Sequence, residues 1–264
     1  MCRFVAYFGN EEILFSTLLL KPKNSLIKQS FWAREGAHGV NADGFGLAWY
    51  NHDISTGPGV FKSTHPAWND NNLIQISQRV KSSCFLAHVR ASTVGNVNQN
   101  NCHPFCHKEY SMVHNGTIRN FKKYKKRLVN FIDEDLFLQI KGNTDSECFF
   151  FLIIHFLRQK NDLALSVKKA ISWITSIQEG CDGFSRINIV ITNGSELLAT
   201  RFASKEEKSL SLKYSATSKE HNKLSSLTLS SESLTDDEKL WQELPQNHYI
   251  YISKDNMECI IEPI

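Results

Sequence analysis

Cys2 stands one residue from the chain start, so removal of Met1 leaves its thiol beside a free α-amine. An α-amine titrates at about pH 8 and serves as a general base at neutral pH, so one residue carries both nucleophile and base. The competing reading is a small apolar residue at the start of a strand. Three further segments hold groups that would complement a nucleophile. Ala87-His88-Val89-Arg90-Ala91-Ser92-Thr93 places an Arg where an apolar run enters a polar loop, and Arg suits bidentate capture of a carboxylate. Val113-His114-Asn115-Gly116 offers a side-chain amide beside a backbone N–H that a ligand can approach closely, a donor pair suited to an oxyanion. Asn-Gly is also the commonest hairpin turn, so that segment has two readings. In Gly142-Asn143-Thr144-Asp145-Ser146-Glu147, Thr144 and Glu147 are explained by helix capping. Asp145 falls in the first helical turn, where its carboxylate either complements the helix dipole or holds an ammonium group.

The elements that position these residues follow from periodicity. Cys2–Phe8 is rich in aromatic and β-branched residues and predicts a strand; Leu14–Gln29 predicts a helix interrupted by Pro22. Asn41–Tyr50 predicts a turn running into a strand, with further strands at Val60–Ser63, Cys84–Arg90 and Tyr110–His114. Leu73, Ile76 and Val80 have helical spacing within Asn72–Lys81. Ser92–Asn101 is polar and predicts an exposed loop, and Phe121–Leu128 is a basic segment. A helix opened by the Thr144-x-x-Glu147 capping pair is predicted to extend to Leu157, and a second runs from Leu163 to Ile177. Ile187–Thr192, Asn193-Gly194 and Glu196–Phe202 predict a hairpin with a type I′ turn. Ser209–Tyr214, Leu224–Leu229 and His248–Ile252 predict strands, the last paired with Met257–Ile261 across Asp255-Asn256. Strands, then helices, then strands, without βαβ alternation, imply an α+β fold of mainly antiparallel sheets.

Composition narrows the function classes. The chain has 264 residues, 41% hydrophobic and 22% charged, which excludes disordered, collagen-like and coiled-coil classes. Lys plus Arg number 30 against 27 Asp plus Glu, and a net +3 gives no electrostatic reason to expect nucleic-acid or membrane partners. The longest apolar run, Cys148–Leu157, is about half the length of a membrane-spanning helix. The N-terminus lacks the apolar stretch of a signal peptide. Seven cysteines without framework spacing suit a reducing compartment, so a cytoplasmic location is expected. Cys102-His103-x-x-Cys106-His107 has the residue types of zinc ligands but no second pair at a usual spacing, so no metal is expected. The run Lys122, Lys123, Lys125, Lys126 and Arg127 reads as a solvated helix face.

Taken in order, Cys2, Asn41-Ala42-Asp43-Gly44-Phe45-Gly46, His88-Val89-Arg90-Ala91-Ser92-Thr93, Asn101-Cys102-His103-Pro104-Phe105, His114-Asn115-Gly116 and Asn143-Thr144-Asp145-Ser146-Glu147 resemble the class II glutamine amidotransferases. These are N-terminal-nucleophile (Ntn) hydrolases with a four-layer αββα sandwich. The resemblance is nearest to the stand-alone branch, which includes bacterial predicted amidotransferases, the ergothioneine-pathway γ-glutamyl amidohydrolase and the fungal glutathione-degrading subunit. A fainter echo continues through Thr192-Asn193-Gly194, Ser231-Glu232-Ser233-Leu234 and Trp241–Pro245. The resemblance implies Cys2 as nucleophile, Asn115 and the Gly116 N–H as oxyanion hole, Arg90 on the substrate α-carboxylate, Asp145 on its α-ammonium and Thr93 as an added contact. It implies one amidotransferase domain over residues 1–264, no cofactor, and glutamine or a γ-glutamyl compound as substrate. Ammonia is either passed to a separate accepting or hydrolase subunit or released. Two positions depart from the family pattern: Ser233 stands where Pro is usual, and Ala91 where synthase-fused relatives carry Trp. The alternative function is a catalytically silent regulatory or binding subunit of the same fold. Because Arg90 and Asp145 address only the glutamyl end, the leaving-group side is expected to fall to loops such as 36–43 and 96–101.

Overall fold

In a strand, successive side chains face opposite ways, so a strand apolar at every position must be covered on both sides. That is the pattern of residues 4–8 in the first strand here, and it sets the layering of the whole molecule. The computed structural model describes residues 2–35, 40–91, 96–179, 184–205, 207–220 and 223–264. In chain order the strands are β1 (Arg3–Leu14), β2 (Phe45–Trp49), β3 (Gly59–Ser63), β4 (Lys81–Val89), β5 (Phe105–His107), β6 (Tyr110–Thr117) and β7 (Arg186–Thr192). They continue with β8 (Glu196–Ala203), β9 (Lys213–Glu220), β10 (Lys223–Ser230), β11 (Gln242–Glu243), β12 (His248–Ser253) and β13 (Cys259–Pro263). The helices are α1 (Ser16–Leu19), α2 (Leu26–Phe31), α3 (Asn71–Arg79), α4 (Phe121–Phe131), α5 (Glu134–Phe137), α6 (Asp145–Lys160) and α7 (Leu163–Ile177).

The strands form a seven-stranded sheet, β11-β9-β10-β1-β4-β2-β3, and a six-stranded sheet, β13-β12-β8-β7-β6-β5. The described pairings are antiparallel. Even-numbered residues of β1 and β4 (Phe4, Ala6, Phe8, Cys84, Leu86) pack against Val113, Val190, Leu197, Ala199, Ile250 and Ile252 of the other sheet. Odd-numbered residues of the same strands (Val5, Tyr7, Phe85, Ala87, Val89) pack with Phe15, Leu19, Leu26 and Leu73 around α1, α2 and α3. On the second sheet, Met112, Ile187, Ile189, Ile191 and Leu198 turn outward to α4, α6 and α7. Helix, sheet, sheet, helix is thus the layer order, the α+β αββα sandwich expected. Helix α6 is buried all along Asp145–Leu157, which explains an apolar run that has no polar face.

Local signals explain most element ends. Ser25 Oγ, Asp70, Thr144 Oγ1 and Asp162 accept from backbone N–H groups at the starts of α2, α3, α6 and α7. Pro22 falls between α1 and α2, which are two short helices with Ser25 opening the second. Helix α4 buries Phe121, Tyr124 and Leu128, and the basic residues around that stripe stay outside it. Two expectations need correction. Asn115-Gly116 is not a turn but lies inside β6, paired with Asn188 and Ile187. The β7–β8 connection is not type I′, because φ is positive at Gly194 but not at Asn193. Instead the Asn193 side chain accepts from Ser195 N and Glu196 N, which closes the turn without a left-handed Asn.

Candidate functional site

The alternation that builds the inter-sheet core also places the site. Cys2 precedes Phe4 by two residues and Arg90 follows Leu86 and His88, so both continue the inter-sheet faces of β1 and β4 past the last apolar side chains. Asn115 continues the inter-sheet face of β6 beyond Val113, and Ser231 that of β10 beyond Leu229. Where the apolar layer ends, these polar residues converge. A pocket opens there, lined by Cys2, Ala91, Asn115, Gly116, Thr117, Arg119, Phe184, Arg186 and Leu210.

The Cys2 thiol donates to Ala91 O at 3.4 Å. Burial pushes its pKa up; the Ala91 backbone, the chain amino terminus and Arg90 act in the opposite direction, while Asp145 adds to the rise. A thiol held neutral in this way needs a base to become a nucleophile. Asn115 is buried, and its Nδ2 donates to Ser231 Oγ at 3.5 Å. Gly116 admits no side chain: a Cβ there would lie 1.9 Å from Arg186 O across the β6–β7 ladder.

Arg90 and Asp145 are both buried near enough to act on the Cys2 thiol, although neither lines the pocket. The Arg90 backbone is clamped to the turn before β2 through Arg90 N to Gly44 O and Asp43 N to Arg90 O, and its Nη1 donates to Asn96 O at 3.2 Å. Gly44 has φ +108° there, and a Cβ would meet Cys102 Sγ and Ser63 O at 2.6 Å. Asp145 Oδ2 accepts from Ile118 N at 2.8 Å and Oδ1 from Ser146 N at 2.9 Å. Both carboxylate oxygens therefore serve the first turn of α6 and the β6–α4 connection. Thr144 Oγ1 caps Glu147 N, and the Glu147 carboxylate reaches back to Lys141 N and Gly142 N. Thr93 and the segment 36–39 of the expected leaving-group loop lie outside the described residues.

Beside the pocket sits a buried histidine group. His88 and His103 rings stack at 4.1 Å between centroids, and His88 Nε2 donates to His114 O. Burial lowers all three pKa values, that of His88 to about 3, so the rings are neutral. His114 Nε2 faces Arg186 O at 3.3 Å and must donate to it. Its Nδ1 therefore accepts from Ser146 Oγ at 2.8 Å, which couples β6 to the start of α6. Of the zinc-like quartet, His103 stacks on His88, while Cys102 Sγ lies against backbone carbonyls of Asp43, Ser63 and Asn98.

Two residues that motif reading left as a faint echo hold the site together. Ser231 Oγ accepts from both Phe4 N and Asn115 Nδ2, and Ser231 N donates to Phe4 O, tying the strand that follows Cys2 to the oxyanion candidate. The buried Glu232 carboxylate accepts from Arg3 Nε at 2.7 Å, from Arg34 N and Glu35 N, and from Asn24 Nδ2. Arg3 in turn donates to Cys2 O at 2.9 Å and to Glu35 O. An isolated Glu directly after the apolar end of β10 was the available signal in the sequence.

A sequence model of the class-II glutamine amidotransferases matches residues 21–262, a span that begins after Cys2 and includes Arg90, Asn115, Gly116 and Asp145. Among relatives, the probable glutamine amidotransferase DUG3 of Saccharomyces cerevisiae is 33% identical, covering 100% of this chain and 84% of its own length. The gamma-glutamyl-hercynylcysteine sulfoxide hydrolase of Mycobacterium tuberculosis is 26% identical over 96% of this chain and 94% of its own. Among solved structures, a glutamine aminotransferase class-II domain protein from Silicibacter pomeroyi superposes with a TM-score of 0.74 at 23% identity, covering 100% of this chain and 99% of that one. The glutamine phosphoribosylpyrophosphate amidotransferase of Bacillus subtilis superposes with a TM-score of 0.65 at 16% identity, with 49% of its chain covered. Among the described residues, no helix is long and apolar enough to cross a membrane. Sequence match and shared layering agree: this chain belongs to the class-II glutamine amidotransferase family.

Proposed function

We propose that the chain hydrolyses a γ-glutamyl amide bond through a thioester on Cys2. The observation that carries this reading is the single pocket lined by the Cys2 thiol, the Asn115 amide and Gly116. With Met1 removed, the α-amine of Cys2 takes the thiol proton as sulfur attacks the γ-carbonyl carbon. The carbonyl oxygen becomes an oxyanion that accepts hydrogen bonds from Asn115 Nδ2 and the Gly116 N–H. Collapse breaks the C–N bond, the leaving nitrogen takes the proton from the α-ammonium, and a thioester remains. Water, deprotonated by the same amine, then releases glutamate and restores the thiol. Arg90 holds the α-carboxylate and Asp145 the α-ammonium, with Thr93 as a further contact. The two sheets draw strands from residues 3–14 through 259–263, which supports treating residues 1–264 as one domain.

Glutamate release from glutamine and simple γ-glutamyl amides, measured beside Cys2→Ala, tests the reading. The variant is expected to be inactive while remaining folded. Retained activity within tenfold of the unaltered protein would rule out the thioester. A silent binding subunit would instead bind a γ-glutamyl ligand and release no glutamate in either form.

A further inference from the structure

The lining of the same pocket includes two charged residues that the mechanism above does not use. Neither Arg90 nor Asp145, the groups assigned to the glutamyl end, lines this space; Thr117, Arg119, Phe184, Arg186 and Leu210 do. Arg119 follows β6 with its backbone pinned: its N donates to Ser185 Oγ at 3.1 Å and its O accepts from Gln178 Nε2 at 2.8 Å. Its guanidinium makes no hydrogen bond or ion pair with any described residue. Arg186 opens β7 directly opposite Thr117. Its guanidinium lies 4.7 Å over the Phe184 ring, and Nε donates to Lys208 O at 2.9 Å. Stacking and the Nε bond fix the plane of the fork, while its two terminal nitrogens bond to no described residue. Leu210 is held against the pocket through its carbonyl, which accepts from Asn188 Nδ2 and Arg201 Nε.

Two like charges lining one cavity repel when the cavity is empty, and no carboxylate is among the described residues lining it. An anion between them turns that repulsion into two charge-assisted contacts, and the planar fork of an oriented Arg matches a carboxylate. Phe184 and Leu210 give the space an apolar wall suited to a carbon skeleton rather than to ammonia. We propose that Arg119 and Arg186 form a specificity subsite for a carboxylate on the leaving amine. This rests on the hydrolase reading above. Remote binding of this kind accelerates the reaction only for substrates long enough to reach it.

The test uses the full chain and three probes: glutamine, γ-glutamylglycine and γ-glutamylglycinamide. The last two differ only in the negative charge. For the unaltered protein, kcat/KM for γ-glutamylglycine should exceed that for γ-glutamylglycinamide by at least about tenfold. Arg119→Gln and Arg186→Gln should each move that ratio toward one, chiefly through KM. Equal rates on the charged and neutral amides would overturn the subsite while leaving the hydrolase reading intact. So would a ratio that neither substitution changes, or an equal loss on all three probes, which would assign the arginines to the glutamyl end. No glutamate from any probe would overturn both readings together.

Discussion

Cys84 in β4 and Cys2, directly before the neighbouring strand β1, face the same inter-sheet layer, yet their surroundings separate them. Burial raises both thiols, Cys84 to about 11. Cys84 lies among apolar side chains, with the Thr192 hydroxyl 3.5 Å away, and lines none of the pockets described. Cys2 sits where the same layer runs out of apolar residues, beside a pocket also lined by Asn115 and Gly116 and near a buried Arg. The difference teaches that position, and not thiol acidity, separates the two. Burial raises both thiols, and what Cys2 has in addition is a place in the pocket beside Asn115 and Gly116.

The largest expected effect breaks the comparison directly. Cys2→Ala should abolish glutamate release, whereas Cys84→Ala should retain it and cost about 1 kcal/mol of stability, as loss of a small buried group does. Equal losses of activity would mean that the layer as a whole, and not its polar end, carries the chemistry.

Next in size is the ion pair that fixes the polar end. Glu232→Gln leaves the Arg3 charge buried without its counter-ion, at a cost of about 3–5 kcal/mol, read as a fall in denaturant midpoint. A midpoint unchanged within error would contradict the role given to Glu232. Asn115→Ala should lower kcat by about a hundredfold or more with little change in KM, since Asn115 meets charge only in the transition state. Asp145→Asn should instead raise KM. If it lowered stability slightly and left KM alone, the bonds to Ile118 N and Ser146 N would be its whole function.

The smallest effect concerns the neutral histidines behind the site. His88 and His103 have folded-state pKa values depressed by burial, so on acidification the unfolded chain binds protons first. Their contribution to stability is complete above about pH 6.5 and is lost as the pH falls toward about 3, the folded value for His88. The slope is on the order of 1 kcal/mol per pH unit for each ring. Thermal melts from pH 7.5 to 5 should show this loss, and His103→Phe should flatten it; an unchanged slope would show that the ring is not buried neutral.

Much of this was legible in the sequence because its signals were local. The span of α7 follows from the Asp162 cap and the spacing of Leu163, Val167, Ala170, Ile171 and Ile174. Cys2, Arg90, Asn115 and Gly116 were legible because each motif is contiguous. Asn115-Gly116 resisted a single reading because a dipeptide resembles a turn until β7 lies beside it, more than 70 residues later in the chain. Glu232 was harder still, as its partners at residues 3, 24, 34 and 35 lie at the opposite end of the sequence. Arg119 and Arg186 belong to none of the sequence motifs, and only the fold brings both to one pocket.

The most direct test of the central claim is covalent labelling with 6-diazo-5-oxo-norleucine, a reactive glutamine analogue, followed by peptide mass spectrometry of all seven cysteines. The account predicts one adduct per chain, on Cys2 of protein that has lost Met1, with Cys84 and the other five unmodified. An adduct on another cysteine, or undiminished glutamate release by protein that still carries Met1, would contradict it.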